Sequence, residues 1–326
     1  MESIEYDKFV SKPSSMEIMT RESQSHESQP FVSVVIPVYD DVESLKRCLK
    51  ALENQTYPQN RYEVIVVDNG SNGKLDLLVD TYKQVVLTAE SRPGSYAARN
   101  KGIGTAKGKV IAFTDSDCIP SANWIEKAVS TMLQKPSCDI LAGKVSLFFK
   151  NPERLNAVEV YEKFTAFKQK NKVEKYNHGI TANLFTFKSI FEKEGSFNGN
   201  LKSGGDVEWC RRVHSRGYNL IYADDVKVAH PARSTLRQLY RKTARVAGGI
   251  FDQREEKYSI LKIAKDLYDL TKHSIWLITA FILGLPFFRG FKDAREKLKY
   301  ILMVDVVGII RIFERIRLQL GGKSRR

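Results

Sequence analysis

Three continuous apolar runs, each followed by aspartate, constrain this chain more than any other feature. Phe31-Val-Ser-Val-Val-Ile-Pro-Val-Tyr leads into Asp40-Asp41, Tyr62-Glu-Val-Ile-Val-Val ends at Asp68-Asn-Gly-Ser, and Lys109-Val-Ile-Ala-Phe-Thr runs into Asp115-Ser-Asp117. A strand wetted on one side alternates polar with apolar residues. An unbroken apolar run belongs instead to a strand covered on both faces, as in a parallel sheet clad with helices. Helical patterns fall between the runs. Asp40-Asp41 can cap a helix whose Val42, Leu45, Leu49 and Leu52 share a stripe, a second helix is expected near 74–82, a short strand at 84–87 and a third helix from about Gly94. Strands alternating with helices predict an α/β fold with a Rossmann-like, doubly wound, mostly parallel sheet. Ligands of such sheets sit beyond the carboxyl ends of the strands, which places Asp40, Asp68, Asp115 and Asp117 on one rim.

The rest of the chain reads differently. Residues 1–30 are polar, Ser/Glu-rich and aperiodic, as expected of a disordered arm. Their acidic start lacks an apolar signal-peptide core, so a cytoplasmic location is expected. Residues 140–230 look mixed: a strand at 140–149, a helix over 152–170, short strands at 183–187 and 219–222, and a helix starting near Asp206. We therefore expect a catalytic domain over 31–232 and a helical region over 233–326. The formal net charge of +14 sits almost wholly in the latter part: residues 227–326 hold 22 Lys/Arg against 9 Asp/Glu, and residues 1–226 hold 30 against 29. Within it, residues 274–288 are uncharged but number only 15 and include Gly284 and Pro286, short of the ~20 needed to span a bilayer. A basic, partly apolar helical tail suits the inner face of an anionic membrane, lying on it or shallowly inserted. Packing on the catalytic domain is the plainer reading of the same helices. Nucleic acid is not expected as a partner, because the basic tail has little aromatic interleaving and no recognisable module. The four cysteines form no CxxC pair, which argues against a disulfide framework or a structural zinc site.

Singly, the motifs are ambiguous. Asp115-Ser-Asp117 can hold a hard divalent cation bridging a diphosphate, and it can equally be a turn ahead of a helix. Asp68-Asn-Gly-Ser could accept a hydrogen bond from a nucleobase imide, yet Asn-Gly is a strong turn former. Asp206, after Ser203-Gly-Gly, could be an N-terminal helix acid favoured by the dipole or a general base. His230 could be an ordinary loop histidine or join Asp117 on a metal. Gly102-Ile-Gly104 precedes a strand and lacks a third glycine, and no P-loop, Gly-x-Ser-x-Gly or His-Glu-x-x-His sequence occurs.

In combination they are specific. The order Ile-Pro-Val-Tyr-Asp, Val-Val-Asp-Asn-Gly-Ser, Pro-Gly-Ser-Tyr-Ala-Ala-Arg-Asn-Lys-Gly, Asp-Ser-Asp, Gly-Gly-Asp-Val-Glu and His-Pro closely resembles family 2 glycosyltransferases of the GT-A fold over roughly residues 31–250. The resemblance implies inverting transfer of a sugar from a nucleotide-sugar, UDP-linked in most cases, to a hydroxyl acceptor on a glycan or lipid-linked molecule. It implies that Pro37, Tyr39 and Glu43 border the nucleotide pocket, that Asp68 binds the base, and that Arg99 lies near the nucleotide. Asp115 would lie near the ribose. Asp117, with His230, would ligate Mg²⁺ or Mn²⁺, and Asp206 would be the catalytic base.

The chain departs from the family pattern in three places. Asn69 stands where a second Asp is common, and Gly205 stands where a Glu is common. Gln238-Leu-Tyr-Arg241-Lys242 is similar to the Gln-x-x-Arg-Trp element of processive synthases, with Lys in place of Trp. Loss of that ring favours transfer of a single sugar. The competing readings are a catalytically inactive GT-A membrane scaffold and a sugar-nucleotide nucleotidyltransferase.

Overall fold

The computed structural model describes residues 29–73, 75–253 and 260–325. The expected arm over 1–30 therefore lies outside the described residues except for its last two. Pro30 is buried, and its carbonyl accepts from the Tyr57 hydroxyl at 2.7 Å.

The three apolar runs form β1 (Val32–Val38), β2 (Tyr62–Asp68) and β4 (Val110–Thr114), and they are buried almost without interruption. With β3 (Val85–Ala89), β5 (Ile119–Pro120), β6 (Ile140–Phe148), β7 (Asn183–Phe187) and β8 (Leu220–Pro231) they make an eight-stranded sheet in the order β3-β2-β1-β4-β7-β6-β8-β5. Neighbouring pairs are parallel except for β4–β7, β6–β7 and β5–β8. Thus only β7 and β5 run against the rest.

Helices clothe both faces. On one side α1 (Val42–Glu53) and α4 (Trp124–Gln134) close a core around Leu45, Leu49, Trp124 and Ile125. The first of these helices is capped as anticipated, with the Asp41 carboxylate accepting from Ser44 N at 3.2 Å. A single turn, α2 (Asp76–Val79), stands where a longer helix was expected; Lys74 lies outside the described residues. On the other side α3 (Ser95–Thr105), α7 (Lys188–Glu194) and α8 (Gly205–Ser215) pack around Phe113, Phe191 and Trp209. Helix α3 comes unusually close to the sheet. A Cβ on Gly102 would lie 2.4 Å from Val35 Cγ1, so only glycine permits that approach.

The helix expected over 152–170 is two helices, α5 (Ala157–Thr165) and α6 (Gln169–Tyr176). Phe167 between them takes a positive φ of 56°, which breaks the helix. The last strand is also longer than its four-residue apolar signal. It runs for 12 residues past an irregularity at Gly143/Lys144, where Asp224 and Asp225 stand out and pair with Lys144 and Lys127.

Beyond β8 come α9 (Leu236–Asp252), α10 (Ile260–Ile282) and α11 (Ala294–Gln319). They pack on one another and on α5 through Leu155, Val160, Leu277, Tyr300, Leu239, Met303 and Val307. Glu162 of α5 is fully buried there. It receives Arg233 Nη1 at 2.7 Å and Lys242 Nζ at 2.8 Å. Gln238 is consumed by a capping box with Thr235. The Gln-x-x-Arg-Lys element therefore builds the start of α9. Among the described residues, no helix is long and apolar enough to cross a membrane.

Candidate active site

The parallel ladder between β1 and β4 ends at Val35–Phe113, whereas β1 stays paired with β2 as far as Val38–Asp68. The sheet forks at this point, and Pro37, which has no N–H to donate, sits just past the last β1–β4 pair, where a missing donor is tolerated. The loops at the fork are laced together. Asp40 takes a positive φ of 49° and accepts from Asn72 N at 2.7 Å, its own N–H donates to Ser71 Oγ at 3.0 Å, and Asp68 Oδ1 accepts from Ser71 N at 2.9 Å. Tyr39 is half exposed beside them, and Glu43 lies exposed on the first turn of α1.

Asn69 explains why a second aspartate is missing. Buried at 4% exposure, it donates from Nδ2 to the carbonyls of Glu90 and Arg92, both at 2.8 Å, and accepts from Gly94 N at 2.8 Å. A carboxylate has no donor for the first two contacts. The amide thus pins the segment that launches α3.

Asp115 and Asp117 follow β4, and the closing strand β8 brings His230 to them. Single ligand atoms from Asp115, Asp117, Cys118 and His230 all lie within 4.8 Å of one another. His230 is buried, with Nε2 at 3.3 Å from Asp117 Oδ2 and Nδ1 at 2.7 Å from the Pro231 carbonyl. A carbonyl only accepts, so the ring proton belongs on Nδ1 and the lone pair of Nε2 faces the carboxylates. Burial raises the Asp117 pKa; His230 pulls it down whenever its ring is protonated, and Asp115 pushes it up. Two carboxylates and a neutral imidazole suit Mg²⁺ or Mn²⁺. The fourth member suits them less: burial, then Asp115 and Asp117, hold the Cys118 thiol well above its ordinary value, so it stays a neutral, soft group.

Arg99, 4% exposed, bonds Asp115 Oδ1 at 2.5 Å through Nη2 while its Nε is buried without a hydrogen-bond partner. One turn earlier on the same helix, Tyr96 donates from its hydroxyl to Asp206 Oδ1 at 2.8 Å. Asp206 stands on the first turn of α8, buried, and its Oδ2 accepts from Thr181 N at 3.3 Å. The neighbouring Ala182 carbonyl receives Thr114 Oγ1 at 3.1 Å, which ties the Asp206 side of the cleft to the end of β4. Asn183 is structural: its amide accepts from Trp124 Nε1 at 2.9 Å and donates to the Lys144 and Val226 carbonyls.

The structure therefore brings Asp115, Asp117, His230 and Arg99 into one cluster, with Pro37, Tyr39, Asp68 and Glu43 on the β1/β2 lip and Asp206 entering from α8. Sequence reading missed the roles of Tyr96 and Cys118, which carry no periodic or spacing signal.

The family model "Glycosyl transferase family 2" matches residues 33–195. The chain is 40% identical over 225 residues to glycosyltransferase AglE of Haloferax volcanii, covering 68% of this chain and 73% of that one. It is 22% identical over 227 residues to the dolichyl N-acetyl-alpha-D-glucosaminyl phosphate 3-beta-D-2,3-diacetamido-2,3-dideoxy-beta-D-glucuronosyltransferase of Methanococcus voltae, covering 65% and 70%. Among solved structures, the mannosyltransferase PcManGT of Pyrobaculum calidifontis, in complex with GDP-Man and Mn²⁺, superposes with a TM-score of 0.59 at 16% identity over 93% of each chain. The chain has the GT-A fold with a helical C-terminal part, is a glycosyltransferase, and belongs to glycosyltransferase family 2.

Proposed function

We propose that the chain is an inverting, metal-dependent glycosyltransferase that moves one sugar from a UDP-sugar to a hydroxyl of a glycan or lipid-linked acceptor. The observation that carries this reading is the convergence of Asp115, Asp117 and His230 at the sheet fork, with a buried Asp206 tied through Tyr96 to the helix whose Arg99 holds Asp115. Asp117 and His230, with Asp115 adjoining, would hold Mg²⁺ or Mn²⁺. When bound, that cation neutralises charge on a departing nucleoside diphosphate. Asp68 is an acceptor-only group at the end of β2, suited to the imide N–H of uracil. Arg99 holds Asp115 on the ribose side. Pro37, Tyr39 and Glu43 border the pocket.

Asp206 takes the proton of the acceptor hydroxyl as that oxygen attacks the anomeric carbon from the face opposite the leaving diphosphate, and inversion follows from that single displacement. Transfer of a single sugar fits the fate of Gln238 and Lys242, which are engaged in a helix cap and an ion pair.

The test is transfer from a panel of UDP- and GDP-sugars with and without Mn²⁺, repeated with Asp117→Ala and Asp206→Asn. Metal-dependent transfer from a UDP-sugar is expected, lowered about 100-fold or more by Asp117→Ala, with its metal dependence gone, and abolished by Asp206→Asn. Metal-independent transfer, or an active Asp117→Ala, overturns the metal assignment, and preference for GDP-sugars overturns the choice of a UDP donor.

The C-terminal region adds a location, the inner face of the cell membrane, against which this chemistry would take place. Helix α10 turns Leu267, Ile275, Ile278 and Ile282 outward at 49%, 60%, 47% and 73% exposure, with Lys265 and Lys272 exposed beside them. An apolar face flanked by cations favours an anionic lipid surface. Salt-sensitive sedimentation with anionic but not zwitterionic vesicles is the expected result; no sedimentation with either overturns it.

A further inference from the structure

Asp206 is held on both of its oxygens by groups from three parts of the chain. Oδ1 accepts from the Tyr96 hydroxyl at 2.8 Å and from Val207 N at 3.0 Å, and Oδ2 accepts from Thr181 N at 3.3 Å. Two short donors on one oxygen and a single long one on the other leave Oδ2 with the greater capacity for a further proton donor.

Tyr96 itself has little freedom to move. It is 6% exposed, its ring lies 5.7 Å from that of Phe197, and the Arg99 guanidinium sits 5.5 Å from its centroid. Its remaining wall is the backbone of the residue before the base: a Cβ on Gly205 would lie 2.8–2.9 Å from Cδ2, Cε2 and Cγ of the ring. The glutamate common at this place in the family cannot fit over the tyrosine.

We propose that Tyr96 is the positioning residue of the general base, and that Gly205 is glycine so that the Tyr96 ring can lie across it and aim its hydroxyl at Asp206. The proposal rests on the reading of Asp206 given above. Helix α3 thereby serves both sides of the cleft, with Tyr96 on the base and Arg99 on Asp115. Burial, reinforced by the Asp206 charge, pushes the Tyr96 hydroxyl well above the ordinary phenol range, so it remains a donor at every working pH. A hydrogen bond donated to a carboxylate favours its charged form, which gives removal of the Tyr96 hydroxyl a signature in the pH profile. The other charged or titratable groups around the pair are Arg99 on α3, His178 ahead of β7, and Glu208 and Cys210 on α8. All are retained in the variants below.

The experiment compares Asp206→Asn, Tyr96→Phe, Tyr96→Ala, Gly205→Ala and the double variant Tyr96→Ala/Gly205→Ala, with transfer, donor binding and melting measured for each. Asp206→Asn must abolish transfer and keep donor binding; if transfer survives, the assignment of the base fails, independently of Tyr96. Given that loss, Tyr96→Phe should lower kcat about 10- to 100-fold, the scale of a hydrogen bond to a charged group. Its donor KM should be unchanged, and the acid limb of the kcat profile should move to higher pH. Gly205→Ala should lower melting temperature and kcat in the Tyr96 background but do nothing further in the Tyr96→Ala background. An unchanged kcat and pH profile in Tyr96→Phe overturns the proposal. So does a fall in kcat accompanied by a raised donor KM and an unmoved acid limb, or additive effects of Gly205→Ala in the two backgrounds.

Discussion

His230 presents Nε2 to Asp117 Oδ2 at 3.3 Å while Nδ1 is held by the carbonyl of Pro231 at 2.7 Å. The second contact fixes the tautomer, and the first places an acceptor nitrogen against a carboxylate. Such a pair awaits a cation or a proton between its two lone pairs. Mn²⁺ should bind the protein, and Asp117→Ala should remove that binding in calorimetry and lower transfer roughly 10²- to 10³-fold, the scale of losing one preorganised charge-stabilising group. The pH dependence has a definite sign. Burial raises the Asp117 pKa in the metal-free chain, so this group adds stability below the ordinary carboxylate range and loses it as pH climbs through the raised folded value. A cation needs the carboxylate ionised. The rise in melting temperature on adding Mn²⁺ should therefore be large at neutral pH and shrink as pH falls through the raised Asp117 value toward the ordinary carboxylate range.

Asn69→Asp should destabilise although it restores the residue common in the family. It replaces two buried N–H donors with oxygens facing the Glu90 and Arg92 carbonyls. At about 1–3 kcal/mol for each buried group left unsatisfied, a loss of about 3 kcal/mol is expected in urea unfolding. Ala at this position should cost less than Asp.

Glu162 is fully buried between Arg233 and Lys242. Burial would raise its pKa, but Lys242 and Arg233 outweigh that and hold it below the ordinary range. Its contribution to stability is present above the ordinary glutamate range and fades as pH falls through the lowered folded value. Glu162→Gln strands two cations and should cost about 3 kcal/mol at neutral pH, the low end for a broken buried pair because both cations keep some contact with water. The difference from the parent protein should shrink in acid, read from denaturant midpoints across pH.

Gly102→Ala probes the approach of α3 to the sheet. The added methyl meets Val35 at 2.4 Å, and overpacking of this kind costs about 1–3 kcal/mol. The helix bearing Tyr96 and Arg99 should be pushed off the strands, so transfer should fall along with melting temperature. Gly104, whose Cβ would meet nothing within 4 Å, is the control: Gly104→Ala should be neutral or slightly stabilising.

The β1–β4 half of the fold was legible because its strands are buried on both faces and announce themselves as unbroken apolar runs, and because strand ends on a parallel sheet all face one way. That logic put Asp40, Asp68, Asp115 and Asp117 on one rim, and all four stand at or just beyond the ends of the parallel strands β1, β2 and β4. It could not extend β8, where Asp224, Asp225 and Lys227 interrupt the apolar signal at the irregularity opposite Gly143. The local sequence around His230 reads by default as a loop, whereas the residue lies on β8. Tyr96 and Asn69 were hidden for another reason. Their partners are Asp206 and the Glu90–Gly94 segment, and side-chain bonds between distant segments leave no local pattern. The break between α5 and α6 turns on one positive φ at Phe167, a residue with no preference for it.

The placement of His230 on the last strand has a consequence for how the molecule comes into being. Three members of the quartet lie just after β4, but the fourth arrives only when β8 has paired with β5 and β6. Such pairings between distant segments form late, because long loops must close first. A nascent chain that has not reached Pro231 lacks the imidazole, and a chain whose final strand has slipped in register points it elsewhere. An ion held by Asp115, Asp117 and His230 would therefore meet all three only in the finished sheet. At a hundred times its dissociation constant it would add about 2.7 kcal/mol to the correctly closed fold. Metal occupancy, in such a molecule, would double as proof of assembly.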